Sequence, residues 1–200
     1  MVAIMAASAA LAAGDLRFCG KVAKPPDSAG IFEARAKDAI WKVALGDSTA
    51  IERHKATPLA LCKSGAKIAV LGKRVKAIET ADPSKSTPDN ISRIAAIVVG
   101  EGFEPPPVPP ELSAKGIEWI SGTLQRAGTK THMIGNFFLM AGPDRRAIEI
   151  EPADRGAIAK GATVLVEGEG EERAKEARAR RVAVLAPEIE AAEYRLAFGL

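Results

Sequence analysis

Aromatic side chains are scarce in this 200-residue chain: six Phe, two Trp and one Tyr make up 4% of it, while hydrophobic residues as a whole reach 47%. Val, Ile, Leu and Ala therefore carry the apolar count and can fill the core. Only two histidines, His54 and His132, and two cysteines, Cys19 and Cys62, are present. Zinc chemistry needs clustered His and Cys at fixed spacing, and there is no C-x-x-C pair, so no metal site is expected. Nucleophilic catalysis needs a base close to a nucleophile. The two histidines fall in different halves of the chain and read as solvent-exposed residues. Glu149 and Glu151 share one strand face, an ordinary place for acids. Neither a G-x-G-x-x-G nor a P-loop signature occurs. No catalytic residue and no cofactor are expected, and the chain reads as a binding or structural module rather than an enzyme.

Charge of one sign is also lacking. The net charge is +3, split as +4 over residues 1–110 (15 basic, 11 acidic) and −1 over residues 111–200 (13 basic, 14 acidic). A strong basic stripe, the usual footprint of a nucleic-acid binder, is absent, and only the first half leans that way. A charged fraction of 26% fits a folded chain. No apolar run reaches transmembrane length. The first 14 residues carry no charge and place Ala10 and Ala12 at A-x-A spacing. This reads as a secretory leader without its basic start, with a short apolar helix as the competing reading. No cysteine follows at lipobox distance. The expected location is therefore periplasmic or secreted, with a cytoplasmic location as the alternative.

What the sequence does contain is self-similarity. Gly65-Ala66-Lys67-Ile68-Ala69-Val70-Leu71-Gly72 returns as Gly161-Ala162-Thr163-Val164-Leu165-Val166-Glu167-Gly168. Phe18-Cys19-Gly20-Lys21-Val22 resembles Trp119-Ile120-Ser121-Gly122-Thr123-Leu124, and Arg93–Val99 resembles Arg181–Leu185. Three matched segments in one order point to duplication. Between the halves, Pro105, Pro106, Pro107, Pro109 and Pro110 predict an extended spacer.

Each half reads as five strands. In the first half these are Leu16–Lys24, Gly30–Lys37, Ala39–Gly46, Lys67–Ala77 and Ile91–Val99. In the second they are Gly116–Arg126, His132–Met140, Ala147–Glu151, Thr163–Glu171 and Lys175–Leu185. A short helix is expected between the third and fourth strands of each half, over Ser48–Leu61 and Ala153–Lys160. Alternation of Ala177 and Ala179 with Arg178 and Arg180 breaks at Arg180-Arg181 and predicts a bulge. Gly20, Gly72, Gly122 and Gly168 suit strands that coil sharply. Three strands, a helix and two strands is the order of a five-stranded Greek-key barrel. The expected fold is all-β: two tandem barrels over 15–103 and 116–187, joined by a linker at 104–115. A C-terminal helix over 188–200 should pack through Ile189, Ala192, Leu196 and Tyr194.

Gly122, Phe137-Phe138-Leu139, the hairpin before Ile148-Glu149-Ile150 and the Gly161–Gly168 motif together resemble small exported bacterial proteins of the oligonucleotide/oligosaccharide-binding fold (OB fold). That resemblance implies a ligand face on strands two and three. Phe32 and Trp41 with Arg35, Lys37 and Lys42 are the candidates there in the first half. Phe137 and Phe138 with Arg145 and Arg146 are those in the second. Core packing is the favoured role for the aromatics, because an aromatic-poor core needs those rings. The ligand class stays open between an unknown protein or small polymeric ligand and, as the alternative, single-stranded nucleic acid; assembly through exposed strand edges is a third route. Because first and fourth strands are neighbours in this topology, Cys19 and Cys62 are a candidate disulfide, with two buried thiols as the alternative.

Overall fold

The computed structural model describes residues 14–78, 87–127, 131–142, 144–189 and 191–200. Most of the expected leader lies outside them. The described chain is mostly strand: β1 (Gly14–Lys24), β2 (Ile31–Ala36), β3 (Ala39–Pro58), β4 (Lys67–Val75), β5 (Asn90–Val99), β6 (Glu118–Arg126), β7 (His132–Ile134), β8 (Phe137–Leu139), β9 (Arg146–Pro152), β10 (Thr163–Glu171) and β11 (Glu176–Leu185). Two helices, α1 (Pro110–Ser113) and α2 (Ala191–Phe198), and 3-10 turns at Leu59–Leu61 and Arg155–Ala157 complete it. No helix among the described residues is long and apolar enough to cross a membrane.

The chain folds as two compact units, and neither follows a half of the sequence. The described residues of the first unit are 14–53 and 152–185; those of the second are 54–151 and 186–200. The expected split at the Pro-rich segment is thus replaced by a crossed one. The cause is strand pairing. β1 pairs with β10, not with β4, and β6 pairs with β4, not with β10. The chain leaves the first unit inside β3, after Arg53, and returns at Pro152.

In the first unit the strands are bonded in the order β11-β10-β1-β2-β3, and β11 also pairs with β3, which closes a five-stranded barrel. Period-2 alternation explains its lining. On β2, Phe32, Ala34 and Ala36 are buried while Ile31 and Arg35 are exposed; on β3, Trp41, Val43 and Leu45 are buried. They meet Val22, Val164, Val166, Ala177, Ala179, Val182 and Val184 in one core. Burying each large aliphatic or aromatic side chain contributes about 1.5–3 kcal/mol. Barrel closure needs close backbone approach. A Cβ on Gly20 would lie 2.7 Å from the Arg35 carbonyl oxygen, and one on Gly168 would overlap the Arg178 carbonyl. The expected bulge is present: Arg181 faces Glu167 and Ala179 faces Gly168, which leaves Arg180 as the extra residue. Its guanidinium meets Asp15 at 2.7 Å. Thr49 Oγ1 donates to the Ala179 carbonyl at 2.7 Å, tying β3 to β11.

In the second unit the order is β9-β5-β4-β6-β7-β8, with β8 returning to pair in parallel with β5. β9 also runs parallel to β5, Val98 opposite Ile148. The core collects Ile68, Val70, Ile91, Ile97, Val99, Ile120, Leu124, Ile134 and Leu139.

Several local expectations are revised. The Ser48–Leu61 helix is instead the second half of β3, followed by a single 3-10 turn. Thr49, Ile51 and Thr57 are β-branched and suit it. The second half likewise has only a 3-10 turn, at Arg155–Ala157. The strand expected over His132–Met140 is a hairpin turning at Gly135-Asn136, where Gly135 takes φ +57°. Pro110, expected to lie outside any helix, opens α1 at a position that has no use for its missing N–H. On α2 the buried residues are Tyr194, Ala197 and Phe198, whereas Ala192 is exposed.

Candidate binding surface

The outward side of β1, β2 and β3 in the first unit carries the basic residues expected there. Register places Lys21 opposite Arg35 and Arg35 opposite Ile40, which makes one cross-strand row. A second row runs from Lys24 to Glu33 to Lys42, and Ile31 faces Ala44 beside it. Arg35, Lys42, Lys21 and Lys24 are exposed, as are Ile31 and Ile40 at 38% and 47%. Lys37 sits at the β2–β3 turn with φ +52°, a left-handed conformation that costs a non-glycine residue energy.

The two candidate aromatics of this face point inward, as core packing requires. Phe32 is fully buried and Trp41 is 6% exposed. Trp41 stacks on Phe18 with ring centroids 4.8 Å apart, and the Lys175 ammonium lies 4.9 Å from its ring centre. The alternation itself carried this signal: Phe32 shares parity with Ala34 and Ala36, and Trp41 with Val43 and Leu45. The same parity would have found Lys21, Ile31 and Ile40, which the sequence reading did not single out.

In the second unit Phe137 and Phe138 are half-buried. Phe137 packs partly on the core, with Arg74 and Lys76 at 5.4 and 5.5 Å from its ring centre. Such contacts are worth about 0.5–1 kcal/mol at exposed sites. Arg74 also meets Glu118 at 3.2 Å, and Lys76 meets Asp89 at 3.7 Å. Arg74 and Lys76 were not foreseen, because nothing local to them predicts that β8 returns to β5 beside β4. Arg145 is not a free surface cation. Its guanidinium donates to the Ala95 carbonyl and to Glu193, each at 3.0 Å. Arg146 is exposed beside it. Both line a cavity of about 300 Å³ with Ile148, Glu188, Ile189 and Glu193.

Neither histidine is exposed, contrary to expectation: His54 is 0% and His132 is 7% accessible. His54 Nδ1 lies 2.9 Å from the Tyr194 hydroxyl, and its ring packs 5.0 Å from that of Phe198. Desolvation, then the nearby Arg126 charge, pulls the pKa of His132 below its usual value. Cys19 and Cys62 are both thiols, not a disulfide. Crossed pairing is the reason: Cys19 on β1 faces Leu165 of β10, while Cys62 belongs to the second unit. Burial pushes the Cys62 thiol up to about 11, which keeps it protonated and unreactive. The acids Glu149 and Glu151 are engaged by Lys55 at 3.4 and 2.6 Å, and Glu149 also accepts from Thr57. Among the described residues no group of three or more His, Cys, Asp or Glu is placed to hold a metal.

Comparison with family models, curated proteins and solved structures finds no match to this chain.

Proposed function

We propose that this protein is a non-enzymatic, exported binding module built from two OB-type barrels, and that the outward β1–β2–β3 face of the first unit takes an extended acidic protein segment. The observation that carries this is the Lys21–Arg35–Ile40 row with Lys42 and Ile31 beside it. Cations flanking exposed aliphatics match a chain that brings carboxylates and small apolar side chains. Stacked bases are disfavoured on this face, because a base–aromatic stack, worth about 1–3 kcal/mol, needs rings that here point inward. The apolar, A-x-A-bearing first residues support export. Charge complementarity would speed encounter and confer salt dependence.

The second reading is a cytosolic single-strand nucleic-acid binder. It is favoured by half-buried Phe137 with Arg74 and Lys76 around it. Fluorescence anisotropy with labelled poly-L-glutamate and with labelled oligo-thymidylate separates the two. The preferred reading expects polyglutamate to bind and to be lost in Arg35→Glu/Lys42→Glu, with the oligonucleotide idle at low salt. Oligonucleotide binding abolished by Phe137→Ala, with polyglutamate idle, would replace it. Sequencing the mature N-terminus tests export.

A further inference from the structure

The first barrel is completed by a hairpin, β10–β11, that arrives only after the ninety-eight residues 54–151 of the other unit. The strand pairings that seat it are to β1 and β3 of the same chain, and its buried side chains also meet Phe32, Ala34 and Ala36 of β2. None of them depends on which copy of the chain supplies the hairpin. This is the condition for exchange between identical chains.

Core volume selects the hairpin. The registers make Ile68 and Val164 equivalent, each opposite a first-strand glycine, Gly122 and Gly20. By the same count Ile97 corresponds to Val182 and Ile91 to Ala177. β10–β11 is therefore smaller than β4–β5 at three core positions. It fills the unit whose other strands bring Phe32, Trp41 and half-buried Phe18. The larger β4–β5 fills a core whose partner strands bring Ile120, Leu124, Ile134 and Leu139. Overpacking one core and leaving voids in the other penalises the reverse assignment.

We propose that this chain exchanges its β10–β11 hairpin with a second copy of itself, the barrel of residues 14–53 accepting that hairpin and rejecting β4–β5. Closure within one chain holds the hairpin at an effective concentration on the order of mM. Exchange is therefore populated when the barrel opens and recloses among chains at comparable concentration.

The test uses the full chain carrying Arg17→Cys and Glu167→Cys in a Cys19→Ser background. Arg17 and Glu167 face each other across the β1–β10 ladder with a 2.7 Å ion pair. The protein is unfolded in denaturant, refolded at micromolar and at near-millimolar concentration, then oxidised and mapped by mass spectrometry. An equal mixture of nitrogen-15-labelled and unlabelled chains marks links between copies. The expected result is position 17 joined to position 167 within one chain at low concentration, and at least a tenfold rise in mixed-isotope links at high concentration. Links confined to single chains at every concentration would overturn the proposal. So would a mixed-isotope dimer whose 17–167 links all remain within one isotope.

Discussion

Gly20 lies directly opposite Val164 in the β1–β10 ladder, although 143 residues separate them in the chain. The first consequence concerns the Pro-rich segment. If that segment joined two self-contained barrels, cutting it would release them. Because β1 needs β10 and β6 needs β4, cutting should release nothing. Replacing Pro105–Pro107 with a protease site and cleaving the folded protein should leave one particle in gel filtration that separates only in denaturant. Two separating fragments under native conditions would contradict the pairing.

Gly20→Ala tests closure of the first barrel. The new methyl would press on the Arg35 carbonyl at 2.7 Å, and backbone there cannot yield as a side-chain tip can. A loss of about 1–3 kcal/mol, typical of overpacking, should appear as a lower urea midpoint. Gly161→Ala is a poor control because φ there is +84°; Gly142→Ala, with open space around it, should be nearly neutral.

Lys37 separates stability from binding. Its φ of +52° favours glycine, so Lys37→Gly should raise the melting temperature by an amount equivalent to about 0.5–1 kcal/mol, the left-handed strain relieved less the entropy glycine adds to the unfolded chain. If Lys37 adds to the charged face, the same variant should bind polyglutamate more weakly while melting higher. Equal binding would remove Lys37 from the face and leave Arg35 and Lys42 to carry it.

His132 makes stability pH-dependent. Its folded pKa lies below the ordinary 6.5, so between those two values the unfolded chain binds more protons. Stability then rises with pH through that window and is lost as pH falls below about 6.5. Urea midpoints measured from pH 7.5 to 5 should fall less steeply in His132→Gln than in the parent. Parallel curves would show that another group sets the slope.

Tyr194→Phe removes the hydroxyl 2.9 Å from His54 Nδ1 and leaves a fully buried imidazole short of that contact. A cost of about 0.5–1.5 kcal/mol, typical of one lost hydrogen bond, is expected. Hydrogen exchange should localise the loosening to α2.

Most strands are legible because alternation and turn residues are local: β2, β5, β6, β10 and β11 fall within a few residues of the sequence expectation, and the Arg180 bulge shows as a break in an Ala/Arg alternation. The partner of each strand was not readable. Gly65–Gly72 and Gly161–Gly168 share one pattern, so either can face either first strand in the same register, and only core volumes distinguish them. The same ambiguity led Cys19 towards Cys62. The end of β3 is not legible, because the repeat calls for a helix over Ser48–Leu61 whereas the chain continues as strand to Pro58. Of the candidate face, Arg35, Lys37 and Lys42 were legible by type. The inward turn of Phe32 and Trp41 is legible in their parity and agrees with core packing, the role the scarcity of aromatics favours for them.

The crossed connectivity also orders events on the ribosome. Residues 14–53 emerge before the second unit, yet their barrel cannot close until residue 185 has been made. β4 to β9, which build the sheet of the second unit, lie within 67–152 and can pair before then. The earliest-synthesised sheet is consequently the last to gain its missing neighbours. Through that interval β1 and β3 present unpaired margins, so premature termination between 151 and 185 would yield a product prone to adhere to other nascent strands.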